Sequence, residues 1–184
     1  MNFDYIFLDT ETTGLEIYSG KIQCTGIGYM IPATEQKGFL YRGPMQSWDD
    51  KSGLVELADL QHAINKYTPV FFNPGFDIAV LEKLVGLYIP SRYEAVDLMY
   101  RVLMPKCPSY KLKELAGQFL HWTDYSKEFA VLKWMKDENK ELEKGDEKLQ
   151  KGAAPRKLLE PYCLEDVEMT MQLFYLLYDR RFEK

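Results

Sequence analysis

Phe7-Leu8-Asp9-Thr10-Glu11-Thr12-Thr13-Gly14-Leu15 is an apolar run that ends in two acids one residue apart and then breaks at a glycine. Read as the end of a strand, its period of two puts Asp9 and Glu11 on the same face. Two carboxylates held side by side repel each other unless a cation lies between them. An all-oxygen donor set suits hard ions such as Mg²⁺ or Mn²⁺. Upstream, Phe3 to Asp9 is rich in aromatic and β-branched residues. Downstream, Lys21 to Ile31 and Lys37 to Arg42 repeat that texture with turn residues between them, so three consecutive antiparallel strands are expected.

Beyond these strands the periodicity changes. Leu54, Leu57, Ala58, Leu60 and Ile64 fall near a helical repeat over Leu54 to Tyr67, and Pro69 follows. Thr68 to Phe72 is a short apolar run suited to a buried strand, and Ile78, Leu81 and Val85 mark a second helix over Phe76 to Val85. Helices are also expected over Ala95 to Leu103, Tyr110 to Leu120 and Leu158 to Tyr178. The whole reads as an α/β chain, a mixed sheet of about five strands flanked by helices, in one domain spanning residues 1–184.

Two further acids stand in informative contexts. Asn73-Pro74-Gly75-Phe76-Asp77 puts an acid between a buried strand and a helix, where the helix dipole alone would favour it. In Tyr162-Cys163-Leu164-Glu165-Asp166 the spacing of four puts Tyr162 and Asp166 one helical turn apart. Their face is offset from the apolar stripe of Cys163, Val167, Met171, Phe174 and Tyr178.

Taken together, Asp9-Thr-Glu11 after an apolar strand, Asn73-x-x-Phe76-Asp77 and Tyr162-x-x-x-Asp166 resemble the three exonuclease motifs of the DEDD superfamily, whose fold is RNase H-like. The tyrosine resembles the DEDDy branch, found in the proofreading domains of family A and family B DNA polymerases. The other branch carries a histidine five residues before the last acid, where this chain has Pro161. The resemblance spans Phe3 to Leu177. It implies a stand-alone, metal-dependent 3′-to-5′ exonuclease that releases nucleoside 5′-monophosphates from the 3′ ends of single-stranded DNA. An exoribonuclease of the same superfamily and a non-catalytic nucleic-acid-binding module in replication are the alternatives.

The resemblance also implies roles. Asp9, Glu11, Asp77 and Asp166 would hold two Mg²⁺ or Mn²⁺ ions, and Tyr162 would orient the attacking water. Thr12 and Glu11 would face the 3′-hydroxyl, Leu15 would wedge against the last bases, and Asn73 and Phe76 would line the substrate. Leu15 also reads as a core residue and Asn73 as a turn residue.

Composition narrows the setting. Lys and Arg number 23 against 28 Asp and Glu, and the resulting charge of −5 argues against a nonspecific nucleic-acid coat held by surplus cations. No run approaches the ~20 apolar residues of a membrane span. The 3 cysteines have no disulfide or metal-ligand spacing, which points to a cytoplasmic setting. The stretch from about residue 122 to 157 reads as a charged, helical, solvated insertion. Within it Lys136, Lys140, Lys144 and Lys148 recur every four residues, as an exposed helix face, a phosphate track or a dock for a DNA polymerase or other replication protein. Tyr125 and Phe129 are either stacking surfaces for bases or, the favoured reading, core residues.

Overall fold

The computed structural model describes residues 4–44, 46–141 and 148–178. Its centre is strand β1 (Tyr5–Thr12), paired antiparallel with β2 (Cys24–Ile31) on one side and parallel with β4 (Thr68–Phe71) on the other. β3 (Gln36–Tyr41) and β5 (Glu94–Ala95) close the two edges, giving the order β3-β2-β1-β4-β5. The expected mixed sheet with three leading antiparallel strands is therefore present. β1 runs beyond Asp9 to Thr12, so both acids lie within the strand; polar residues at a strand end hide it from a propensity reading. The two-residue β5 is too short to carry an alternating pattern.

Period-two alternation divides β1 between two cores. Ile6 and Leu8 face α1 (Lys51–Lys66) and α2 (Pro74–Val80), where Leu57, Leu60, Ile64 and Val80 are buried. Phe7 faces the opposite layer, packed with α3 (Val96–Leu103), α4 (Leu112–Phe119) and α6 (Arg156–Tyr178) through Tyr100, Leu115, Val167 and Phe174. Asp50 caps α1 by accepting from the Gly53 amide at 2.6 Å. α2 passes into a π-turn at Leu81–Val85, which ends at Gly86 in the left-handed region (φ 82°).

The charged segment is less solvated than its composition suggests. α5 (Ser126–Glu141) buries Val131 completely, and with Trp134 it packs on Phe39, Leu159, Tyr162 and Cys163. The lysine line does not form one helix face across the segment: Lys136 and Lys140 lie on α5, Lys148 lies beyond it, and Lys144 falls outside the described residues. Tyr125 is half-buried, and its hydroxyl donates to carbonyls of Lys113 and Trp122 at 3.1 and 3.0 Å. Phe129 is 66% exposed, against the core placement favoured for it, because it lies on the outer side of α5 away from Val131. No described helix is long and apolar enough to cross a membrane.

Candidate active site

The acids singled out in the sequence meet at the C-terminal end of β1. Asp9 and Glu11 project from β1, Asp77 comes from the first turn of α2, and Tyr162 and Asp166 stand one turn apart on α6. The Thr10 amide and hydroxyl donate to Asp77 Oδ1 at 3.2 and 2.7 Å, tying α2 to the acid-bearing strand. The Cys163 thiol donates to Asp9 Oδ2 at 3.4 Å, tying α6 to it. Gly28, opposite Asp9 in β2, makes this approach feasible, since a Cβ there would come within 2.7 Å of Cys163 Sγ.

Glu11, Asp77, Tyr162 and Asp166 are buried; Asp9 is half-buried, open on one side yet sunk deep enough for desolvation to dominate. Desolvation, followed by repulsion from Asp77, Glu11 and Asp166, pushes Asp9 well above the usual carboxylate range. Desolvation and then Asp166 push Glu11 up likewise, opposed by Lys151 and Lys113. Desolvation raises Asp77 to about 7 despite its two hydrogen bonds from Thr10. Asp166 is raised by burial, with Lys113 as its strongest opposing influence. Burial, then the neighbouring carboxylates, move the Tyr162 phenol far above its ordinary value. Every acid of the cluster is thus held where a positive charge would lower its energy.

Side chains for a cation are in place. Ligand atoms of Asp9, Glu11 and Cys163 lie within 4.8 Å of one another, and carboxylate oxygens predominate, which suits Mg²⁺ or Mn²⁺ better than a thiophilic ion. The Cys163 thiol, raised by burial and by Asp9, is protonated at neutral pH and serves as a hydrogen-bond donor.

Beside the acids opens a cavity of about 300 Å³ lined by Glu11, Thr12, Leu15, Phe76, Met135 and Lys151, among others. Thr12, Leu15 and Phe76 therefore reach it, and Leu15, 79% exposed at its lip, is not a core residue. Asn73 is exposed outside that lining; its carbonyl accepts from the Phe76 amide at 3.3 Å, and its side chain makes no cap. Gly14, Leu15 and Gln150 also border a larger cleft of about 700 Å³ that includes Lys21 and Lys148.

Three basic or acidic partners of the cluster went unread in the sequence. Lys113, at the start of α4, pairs with Asp166 Oδ1 and places its ammonium 4.7 Å from the Tyr162 ring centroid. Lys151, from the short 3₁₀ turn Lys151–Ala153, places its ammonium 5.0 Å from the same ring centroid and is held by Glu128 of α5. Lys113 is 53 residues from Asp166 in sequence, and no local spacing announces such a pair.

A family model for the RNase H superfamily matches residues 6–178. The chain belongs to the RNase H superfamily. Solved structures agree at the level of fold. Brucella melitensis NrnC with bound Mg²⁺ is 20% identical, with a TM-score of 0.63 over 97% of this chain and 74% of that one. NrnC of the same organism bound to pGG is also 20% identical, with a TM-score of 0.62 over the same shares. Comparison with curated proteins gave no match. The family assignment places this chain's acid cluster on a nuclease fold.

Proposed function

We propose that the chain is a metal-dependent 3′-to-5′ exonuclease of the DEDDy type, acting on unpaired DNA ends and releasing nucleoside 5′-monophosphates. The carrying observation is the meeting of four carboxylates from β1, α2 and α6 with a tyrosine one turn from the last of them. In this reading Asp9, Glu11, Asp77 and Asp166 hold two divalent ions. Bound there, such ions supply phosphate neutralisation, an acidified water and a stabilised leaving 3′-oxygen. The donor set fits them: the carboxylates are oxygen ligands, mutually repelling and raised by burial.

The protein's own groups do the positioning. Tyr162 stays a neutral phenol at working pH, so it orients the water by hydrogen bonding and is not a general base. Thr12 and Glu11 face the terminal 3′-hydroxyl, and Leu15 at the cavity lip, with Phe76 in the same lining, separates the terminal base from its neighbour. A cavity this size suits a single unpaired end rather than a duplex. The neighbour bound to pGG brings short oligonucleotides into the substrate range, with RNA as the second reading.

The test is digestion of matched DNA and RNA oligomers, and of a dinucleotide, with Mg²⁺, with Mn²⁺ and with EDTA. Mononucleotide release that needs metal and disappears in Asp9→Ala is expected, with DNA cut faster than RNA. Faster cutting of RNA would transfer the reading to an exoribonuclease, and no release under any condition would leave a binding module.

A further inference from the structure

The charged segment contributes a three-member chain to the site. Glu128 Oε1 accepts from Lys151 Nζ at 2.6 Å, and the same ammonium donates to the Tyr162 hydroxyl at 3.2 Å. Both ends are restrained: Glu128 sits in the first turn of α5, whose neighbour Lys127 bonds Glu165 of α6 at 2.6 Å. Lys151 leads into Gly152, whose carbonyl accepts from Thr25 at 2.6 Å and whose Cα has no room for a side chain against the Thr12 backbone. Glu128 and Lys151 are 21% and 32% exposed at the side chain, so the pair is shielded well beyond an ordinary surface ion pair.

We propose that Glu128 and Lys151 are positioning residues for Tyr162: Glu128 anchors the Lys151 ammonium, and the ammonium fixes the phenol oxygen. The chemistry follows from donor and acceptor inventory. An ammonium has donors only, so it must occupy a lone pair of the Tyr162 oxygen, and the hydroxyl proton is thereby turned away from Lys151. That leaves the phenol aimed as a donor toward the carboxylate side, where Asp166 lies one turn along α6. A free phenol would rotate between alternatives; a charge-assisted contact removes that freedom before substrate arrives. The charged segment is on this account part of the active site, acting on Tyr162 by direct contact and on Glu11 and Asp166 by the charge of Lys151.

This inference rests on the exonuclease reading, and the experiment separates the two. Steady-state kinetics would be measured for wild type, Lys151→Met, Lys151→Arg, Glu128→Gln, Tyr162→Phe and the double variant Lys151→Met/Tyr162→Phe, with thermal melting of each. Lys151→Met is expected to lower kcat about 10- to 100-fold, the worth of one hydrogen bond to a charged group, with KM within about twofold. Lys151→Arg should recover part of the loss, and Glu128→Gln should fall between wild type and Lys151→Met. The decisive result is the cycle: once the phenol oxygen is gone, losing Lys151 should cost less than about threefold more. Full additivity in the double variant, a change confined to KM, or wild-type kcat in Lys151→Met would overturn the proposal. An inactive wild type would remove the exonuclease reading and this inference with it. A Lys151→Met that fails to fold leaves Glu128→Gln in the Tyr162→Phe background to decide by the same criterion.

Discussion

Tyr162 has two ammonium groups within 5.0 Å of its ring centroid, and the four acids around it are unequal in their partners. Asp77 has two hydrogen bonds from Thr10, Asp166 has Lys113, and Asp9 has a thiol. Asp9 is the acid most surrounded by the other three, so its removal should be the most damaging. Asp9→Ala is expected to lower kcat roughly 10³-fold or more, the upper range for loss of one electrostatic stabiliser. Tyr162→Phe should cost about 10- to 100-fold, because on the proposed reading only water positioning would be lost. Equal, complete loss in both would contradict that division. Lys113 raises a separate expectation, since its ammonium holds Asp166 Oδ1 and would compete by charge with a divalent ion at that carboxylate. Lys113→Met should tighten Ca²⁺ binding about tenfold by calorimetry, equivalent to about 1.4 kcal/mol; unchanged or weaker binding would show that the pair does not compete.

Among the elements, β1 and α6 were legible in the sequence because each carries its chemistry at its own period: two along the strand for Asp9 and Glu11, four along the helix for Tyr162 and Asp166. The middle motif was legible because Pro74 and Gly75 mark the passage from β4 to α2. What stayed hidden depends on tertiary approach. Lys113 lies on the amphipathic helix α4 and Lys151 in a charged stretch, and neither local pattern names the distant acid or ring it meets; β5 is two residues long. α5 read as solvated because its apolar anchors, Val131 and Trp134, are too few to outweigh its charges. The contact between the Lys151–Ala153 turn and β1 gives a direct check on this level. Gly152→Ala would push a methyl group into the Thr12 backbone. Destabilisation of about 1–3 kcal/mol is expected from such overpacking, read as a lower urea midpoint at unchanged slope. No shift would mean that the turn does not seat on the strand.

For the whole molecule, the acid cluster sets how stability varies with pH. Asp9, Glu11, Asp77 and Asp166 have folded-state pKa values above their unfolded ones, so the folded protein holds more protons across that interval. Their stabilising contribution is complete below the ordinary carboxylate range and is lost as pH rises through the folded values, about 7 for Asp77. Metal-free protein should therefore melt at least about 3 °C higher at pH 5.5 than at pH 8. Saturating Mg²⁺ should remove or reverse that difference, because it binds the ionised acids of the folded state. On the proposed reading the same logic gives the overall charge of −5 its meaning: attraction for a polyanion would be local and would arise when cations occupy the acids. Direction of attack is the most exposed part of this account. A single-stranded DNA oligomer labelled at its 5′ end, digested with Mg²⁺ and sampled over time, should shorten one nucleotide at a time while the label stays on the longest fragments. Immediate release of labelled mononucleotide, or cuts scattered through the strand from the first time point, would contradict it.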